Sequence, residues 1–300
     1  MNTIIPLKSA GFVLDLNETA FGNLRRSDDV LVDEKALRSR MEEDGYLYLP
    51  GFFSRDEVLE VRRELCSQLE RSGRLDPDFP AIDAMPCPAD KTPLFPKDAQ
   101  PINRRHPTLS RFLFGDQVMG FYSRILGDVA RHYDHTWIRA VAPGRGTAPH
   151  CDLVYMGRGT HDVCTAWIPY GDTPPKVGGL MILEGSHRQS ERLSNYLSQD
   201  VDTYCVNRPG GYKFKSGCLT KNPVTLREKL GGRWLTAEFK PGDLLTFGMK
   251  LVHASLDNQS DRIRLSTDTR YQLAMHKIDP RWVGTDTEEY AMKNRVGLIC

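Results

Sequence analysis

Along the chain, apolar residues follow two different rhythms, and the change comes near Tyr133. Before it the spacing is helical. Residues 33–44 read as a short helix, and YLYLP at 46–50 as a strand. Ser54 and Glu57 have capping-box spacing for a second helix. Its buried face would carry Val58, Val61, Leu65 and Leu69, which recur three and four apart. A third helix is predicted over 107–126, with Pro107 in its first turn and Leu109, Phe112, Leu113, Phe121 and Ile125 turned inward. Between the second and third helices, residues 76–106 hold seven prolines and read as a loop of the kind that lids a site.

After Tyr133 the apolar runs shorten and are broken by glycine and proline. Strands are predicted at 134–142, 163–170, 179–184, 234–239, 243–248, 250–256 and 262–272. Helices first and strands afterward predict a mainly β fold, a barrel or sandwich core buttressed by N-terminal α-helices. No linker divides the chain, so 1–300 reads as one domain. Residues 1–130 would form the mostly helical buttress and lid loop, and 131–275 the β core with a polar insertion at 186–232. Residues 276–300 form a C-terminal tail.

Charge adds little: 40 basic residues stand against 39 acidic ones, with no long basic run to ask for nucleic acid or a membrane surface. Seven scattered cysteines, an odd number without a CxxC pair, fit a reducing cytoplasm better than a disulfide framework or a zinc ribbon. The longest apolar stretches, such as Gly178 to Leu183, fall far short of the roughly 20 residues of a membrane span. No nucleic-acid or membrane partner is therefore expected, and nothing in the sequence sets the oligomeric state.

Candidate chemistry begins with the eight histidines. His150 and Asp152 form H-x-D; on a strand, residues i and i+2 share a face, so both could reach one metal. The tripeptide alone is common by chance. His253 follows the turn Pro241-Gly242-Asp243 and the run LLTFGMKLVHAS, and Arg264 lies in the alternating run RIRLSTDTRYQ that comes after. Taken alone, Arg264 reads as a strand-surface arginine like Arg262 or Arg270, and Trp167 as a core aromatic. His135 and Arg139, four apart, could both face the interior and meet substrate or cosubstrate. His187, in GSHR, reads as structural, His161 as solvated and His276 as peripheral. His106 and the pair Arg104 and Arg105 stand near the lid, where the arginines could greet an anionic substrate or simply be solvated.

Several segments then fall into one order: DGYLYLPGFFSRDEV at 44–58, PHCD at 149–152, CTAW at 164–167, GGLMILEGSHR ending at Arg188, PGDLLTF before His253, and NQSDRIRLS leading through Arg264 to Ser266. In this ordered set the chain resembles the phytanoyl-CoA dioxygenase family of iron(II)/2-oxoglutarate oxygenases. The resemblance implies a double-stranded β-helix (jelly-roll, cupin-like) core, with His150 and Asp152 near the end of one strand and His253 on a later one. It implies that these three hold Fe(II) and that Arg264 holds the distal carboxylate of 2-oxoglutarate. Ser266 would add a bond and Trp167 would lie close by. Imidazole and carboxylate ligands that leave open positions suit iron(II), and a guanidinium suits a planar carboxylate. The implied activity is hydroxylation, or a related oxidation, of an unactivated C–H bond of a small-molecule substrate, with release of succinate and CO2, aided by ascorbate. Halogenating relatives have a small residue where Asp152 stands, so Asp152 points to oxygen insertion. Two other classes stay open: a jelly-roll binding or sensor protein without turnover, and a cupin-type enzyme of another divalent metal.

Overall fold

The computed structural model describes residues 6–88, 105–201 and 217–284. In chain order the strands are β1 Lys8–Ser9, β2 Phe12–Val13, β3 Phe21–Asn23, β4 Tyr46–Leu49, β5 Ala130–His132, β6 Trp137–Val141, β7 Val163–Pro169, β8 Leu180–Leu183, β9 Trp234–Thr236, β10 Leu244–Gly248, β11 His253–Ser255 and β12 Arg264–Leu273. The α-helices are α1 Glu34–Asp44, α2 Arg55–Arg71, α3 Pro107–Phe114, α4 Asp116–Leu126, α5 Leu153–Met156, α6 Ser194–Leu197 and α7 Pro223–Leu230.

Two sheets make the core. The larger runs β4-β10-β7-β12-β5, with β6 also paired to β12, and the smaller runs β11-β8-β9-β3. Strand alternation divides the larger sheet into two unlike faces. Leu47, Leu49, Leu244, Ala166, Ile168 and Leu265 point outward into a cluster with Val58, Val61 and Leu65 of α2, Leu109 and Leu113 of α3, and Phe121 and Tyr122 of α4. Their neighbours Tyr46, Tyr48, Trp167, Leu245 and Phe247 point inward and meet Leu180, Ile182 and Leu235 of the smaller sheet. The far face of the smaller sheet, with Met181, Leu183 and Ala254, is covered by Tyr196 of α6 and Leu226 of α7. This is the mainly β jelly roll with helices as buttress.

Three local expectations are corrected. The helix predicted over 107–126 is two helices, because Gly115 leaves helical geometry at φ −69°, ψ 166° and ends α3. Any Cβ there would lie 2.7 Å from the Arg111 carbonyl oxygen. The capping box does not form: Ser54 is the N-cap of α2 but its side chain makes no capping bond. Asp33 instead caps α1 by accepting from the amides of Lys35 and Ala36. Finally, Asp152 is not in a strand. It has α geometry (φ −64°, ψ −26°) and begins α5. Of the predicted loop 76–106 and insertion 186–232, residues 89–104 and 202–216, Arg104 among them, lie outside the described residues.

Candidate metal centre

Two short backbone hydrogen bonds register the site. The amide of His150 donates to the carbonyl of His253 at 2.9 Å, and that of His253 donates back at 2.9 Å. This isolated bridge joins the loop before α5 to the first residue of β11. The side chains repeat one another as well. His150 Nδ1 lies 2.9 Å from the Ala148 carbonyl oxygen, and His253 Nδ1 lies 3.0 Å from that of Leu251. A carbonyl only accepts, so each Nδ1 carries a proton, and Nε2 is the ring nitrogen left to bind a metal.

Those two Nε2 atoms face one carboxylate oxygen. Asp152 Oδ1 lies 4.0 Å from His150 Nε2 and 3.7 Å from His253 Nε2. Both separations fit within the span of two metal–ligand bonds of about 2.1 Å. Among the described residues, this is the one group of three or more His, Cys, Asp or Glu whose ligand atoms lie within 4.8 Å of one another. The mechanism of convergence differs from the strand argument. Because Asp152 sits at the start of a helical turn, its backbone direction, not strand parity, brings it beside His150.

The other oxygen of Asp152 is already used. Oδ2 accepts from Thr165 Oγ at 2.5 Å and from Arg270 Nη2 at 2.8 Å. Burial would raise this carboxyl, but Arg270, both histidines and the Thr165 bond outweigh it and hold the group well below the ordinary carboxylate range. Burial, reinforced by His253, pushes His150 down to about 4. Both shifts favour the deprotonated forms that bind metal.

Arg264, Ser266, Asp268, Arg270 and Gln272 alternate along β12, and the register sets Arg264 opposite Val141, Asp268 opposite Trp167 and Arg270 opposite Thr165. They therefore share the inward face with Trp167 and Thr165. Arg264 is 4% exposed. Its Nη1 donates to Ser266 Oγ at 2.9 Å, its Nε has no partner among the described residues, and its Cζ lies 5.7 Å from the Trp167 ring centroid. Burial lowers it to about 10, which leaves it charged at neutral pH. A buried cation without a protein carboxylate in contact is costly unless an anion joins it. The structure brings Arg264, Ser266 and Trp167 together.

Arg270 is the site residue that sequence reasoning misses. As a strand-surface arginine it should be exposed, as Arg262 is; instead it is 2% exposed and paired with Asp152. Strand parity held the signal, since residues 264 and 270 must share a face. Thr165 carried no signal of its own. Arg139, on β6, gives its Nε to Asp268 at 2.7 Å, and its two terminal nitrogens have no acceptor among the described residues. His135 is buried and packs edge-on against Trp137 and beside Trp282. His187 reaches the Glu42 carbonyl, His106 caps α3, His132 stacks on Phe114, and His161 and Arg105 are exposed. His276 lies beside Asp162.

A jelly roll whose inward face joins two histidines and a carboxylate to a buried arginine defines a non-haem iron(II)/2-oxoglutarate oxygenase. The profile of the phytanoyl-CoA dioxygenase family matches residues 41–266, and the chain belongs to that family. It is 26% identical over 259 residues to the 1-deoxypentalenic acid 11-beta-hydroxylase of Streptomyces exfoliatus, covering 82% of this chain and 83% of the hydroxylase. The Streptomyces arenae enzyme of the same name is 28% identical over 255 residues, with the same coverage. The fold is similar to that of the alpha-ketoglutarate-dependent carbocyclase SnoK of nogalamycin biosynthesis (TM-score 0.56, 20% identity, 89% of this chain and 93% of that one). It is also similar to EctD of S. alaskensis, solved with 2-oxoglutarate and 5-hydroxyectoine (TM-score 0.53, 17% identity, 88% and 84%). The protein is thus an enzyme that uses iron and 2-oxoglutarate to oxidise a small molecule. Among the described residues no helix is long and apolar enough to cross a membrane.

Proposed function

We propose that His150 and His253, through Nε2, and Asp152, through Oδ1, hold iron(II), and that Arg264 and Ser266 hold the distal carboxylate of 2-oxoglutarate beside Trp167. The observation that carries this reading is the pairing of three converging ligand atoms with a buried guanidinium on the same inward face. The donor set fits the metal: two imidazoles and one carboxylate oxygen leave open positions for a chelating keto acid and dioxygen. Bound there, iron supplies the redox chemistry that couples decarboxylation of 2-oxoglutarate to insertion of oxygen into a C–H bond. The protein's own share is to hold the ligands, keep Asp152 and His150 deprotonated, orient the keto acid and exclude water.

The substrate in this proposal is a small carboxylic acid. Arg139 supports it: Asp268 holds its Nε, while its terminal nitrogens lack an acceptor among the described residues. A planar carboxylate would satisfy that fork. The two Streptomyces hydroxylases similar to this chain act, by name, on an acid. Residues 1–300 act as one catalytic domain; in support, Ser9 donates to the Ser255 carbonyl and Asp257 accepts from Ala10 and Gly11, which ties the N-terminus to the core. Cytoplasmic location is supported by the unpaired, buried Cys66, Cys87, Cys151 and Cys164.

The test is a metabolite screen with iron(II), ascorbate and 2-oxoglutarate. It follows substrate-stimulated succinate and identifies the product by mass spectrometry. One hydroxylated acid per succinate supports the proposal. A halogenated product, or turnover without 2-oxoglutarate, overturns it; equal turnover of the corresponding amide removes the carboxylate from it.

A further inference from the structure

The two oxygens of Asp152 have separate tasks. Oδ1 faces the two histidines, while Oδ2 faces the larger sheet and accepts from both Thr165 and Arg270. Thr165 and Arg270 are direct cross-strand partners of β7 and β12, so the sheet register itself sets both donors on one oxygen. The Arg270 guanidinium lies over the Trp137 ring, with its Cζ 4.2 Å from the centroid. That ring in turn packs on His135 and Trp282 at 4.5 and 4.7 Å between centroids. Arg270 Nε and Nη1 are buried without a partner among the described residues. A fold that leaves two donors unsatisfied in order to point a third at Asp152 has a use for that contact.

A carboxylate free to rotate can bind a metal through both oxygens, and the second would occupy a position that the keto acid or dioxygen needs. Two donors on Oδ2, one of them charged, oppose that rotation. An ammonium would give the charge but not the fixed direction of a guanidinium N–H.

We propose that Arg270, together with Thr165, is a positioning residue that makes Asp152 a one-oxygen ligand and so keeps a coordination position open. This rests on the metal-site reading above. It predicts that loosening either donor changes how the metal is coordinated, not only how stable the protein is. Outer partners of metal ligands typically alter affinity by about 10- to 100-fold when removed.

The experiment uses apo-protein loaded with Co(II), whose visible bands weaken as coordination number rises, for wild type, Arg270→Gln, Arg270→Lys and Thr165→Val. Cobalt affinity is measured by titration, and succinate formed per substrate oxidised is measured with iron. The expected result is weaker Co(II) bands and a changed affinity in Thr165→Val and in Arg270→Gln, with excess succinate over product. Arg270→Lys restores the spectrum only in part. Folding is checked by circular dichroism. If Arg270→Gln does not fold, Thr165→Val, which leaves the arginine and its charge in place, decides. Folded variants with the wild-type cobalt spectrum, affinity and coupling overturn the inference. Failure of the wild type to bind any divalent metal at this site overturns the underlying reading instead.

Discussion

His150 and His253 exchange backbone hydrogen bonds in both directions, 2.9 Å each, so the two imidazoles are brought together by the chain itself. Each ring is then oriented by a carbonyl two residues earlier. Bonds of the chain itself, and not a metal, set both rings in place. Removing metal should therefore leave the fold intact, unlike domains in which a structural ion supplies the folding energy. A metal at 100 times its Kd contributes about 2.7 kcal/mol, which in a protein of this size is a Tm change on the order of 5 °C. Circular dichroism with and without chelator checks this: the far-UV spectrum should be unchanged and Tm slightly lower. Unfolding on chelation would contradict a preformed site.

Arg264 is buried without a contacting carboxylate among the described residues, and the proposed partner for its charge is the distal carboxylate of 2-oxoglutarate. Arg264→Met should lower 2-oxoglutarate affinity roughly 10- to 100-fold, the loss expected for hydrogen bonds between charged groups. It should leave the Tm of cosubstrate-free protein unchanged or raised, because a buried unpaired charge is replaced by an apolar chain of similar length. Calorimetric titration and thermal melts report the two quantities separately. A Tm drop of many degrees would show the guanidinium to be structural.

The metal-free protein should lose stability as pH falls from neutral toward 4. His150 titrates near 6.5 when unfolded and is pushed down to about 4 in the fold. Between these values the unfolded chain binds the extra proton, so stability rises with pH across the window and is lost as pH falls through it. The contribution is on the order of 3 kcal/mol at most. Asp152, held below its ordinary value, acts in the same direction at lower pH. His150→Gln should flatten the dependence of Tm on pH between 6.5 and 4. A slope as steep as wild type would place the effect elsewhere.

His187, the one histidine of the conspicuous GSHR segment, serves α1. Gly45 ends that helix in the left-handed region at φ +79°, and a Cβ there would fall 2.4 Å from His187 Nδ1. Gly45→Ala should destabilise by about 1–3 kcal/mol from backbone strain and more from the clash. His187→Ala in the same chain should recover the clash but not the strain, which denaturant melts of the two variants would show. Activity per folded molecule should follow neither substitution. A metal affinity that changes with His187→Ala would contradict a structural role.

Much of this was legible in the sequence, for physical reasons. The two-fold alternation of LLTF at 244–247 and of 264–272 already separates outward Leu244 and Leu265 from inward Leu245 and Arg264. The clustering of His150, Asp152 and His253 was legible because their side-chain chemistry is rare and their order follows a family pattern. What was not legible depended on contacts between distant elements. Arg270 looked like a surface residue because its partner, Asp152, is 118 positions away and its stacking ring lies on another strand. The break at Gly115 was hidden because both flanking helices bury the same kinds of residue, such as Leu113 and Val118. The H-x-D spacing led to the right neighbours by the wrong route, since a helical turn and a strand can each set i and i+2 beside one ion.

The central claim is that His150, Asp152, His253 and Arg264 form one site for iron(II) and 2-oxoglutarate. The most direct measurement is an anaerobic titration of apo-protein with iron(II) and then 2-oxoglutarate, following the visible charge-transfer absorption that a chelated keto acid gives on iron. The account predicts a band that needs both additions, saturates at one equivalent of iron, disappears in His253→Ala, and in Arg264→Met requires far more 2-oxoglutarate. No band in the wild type, or a band undiminished in His253→Ala, would contradict it.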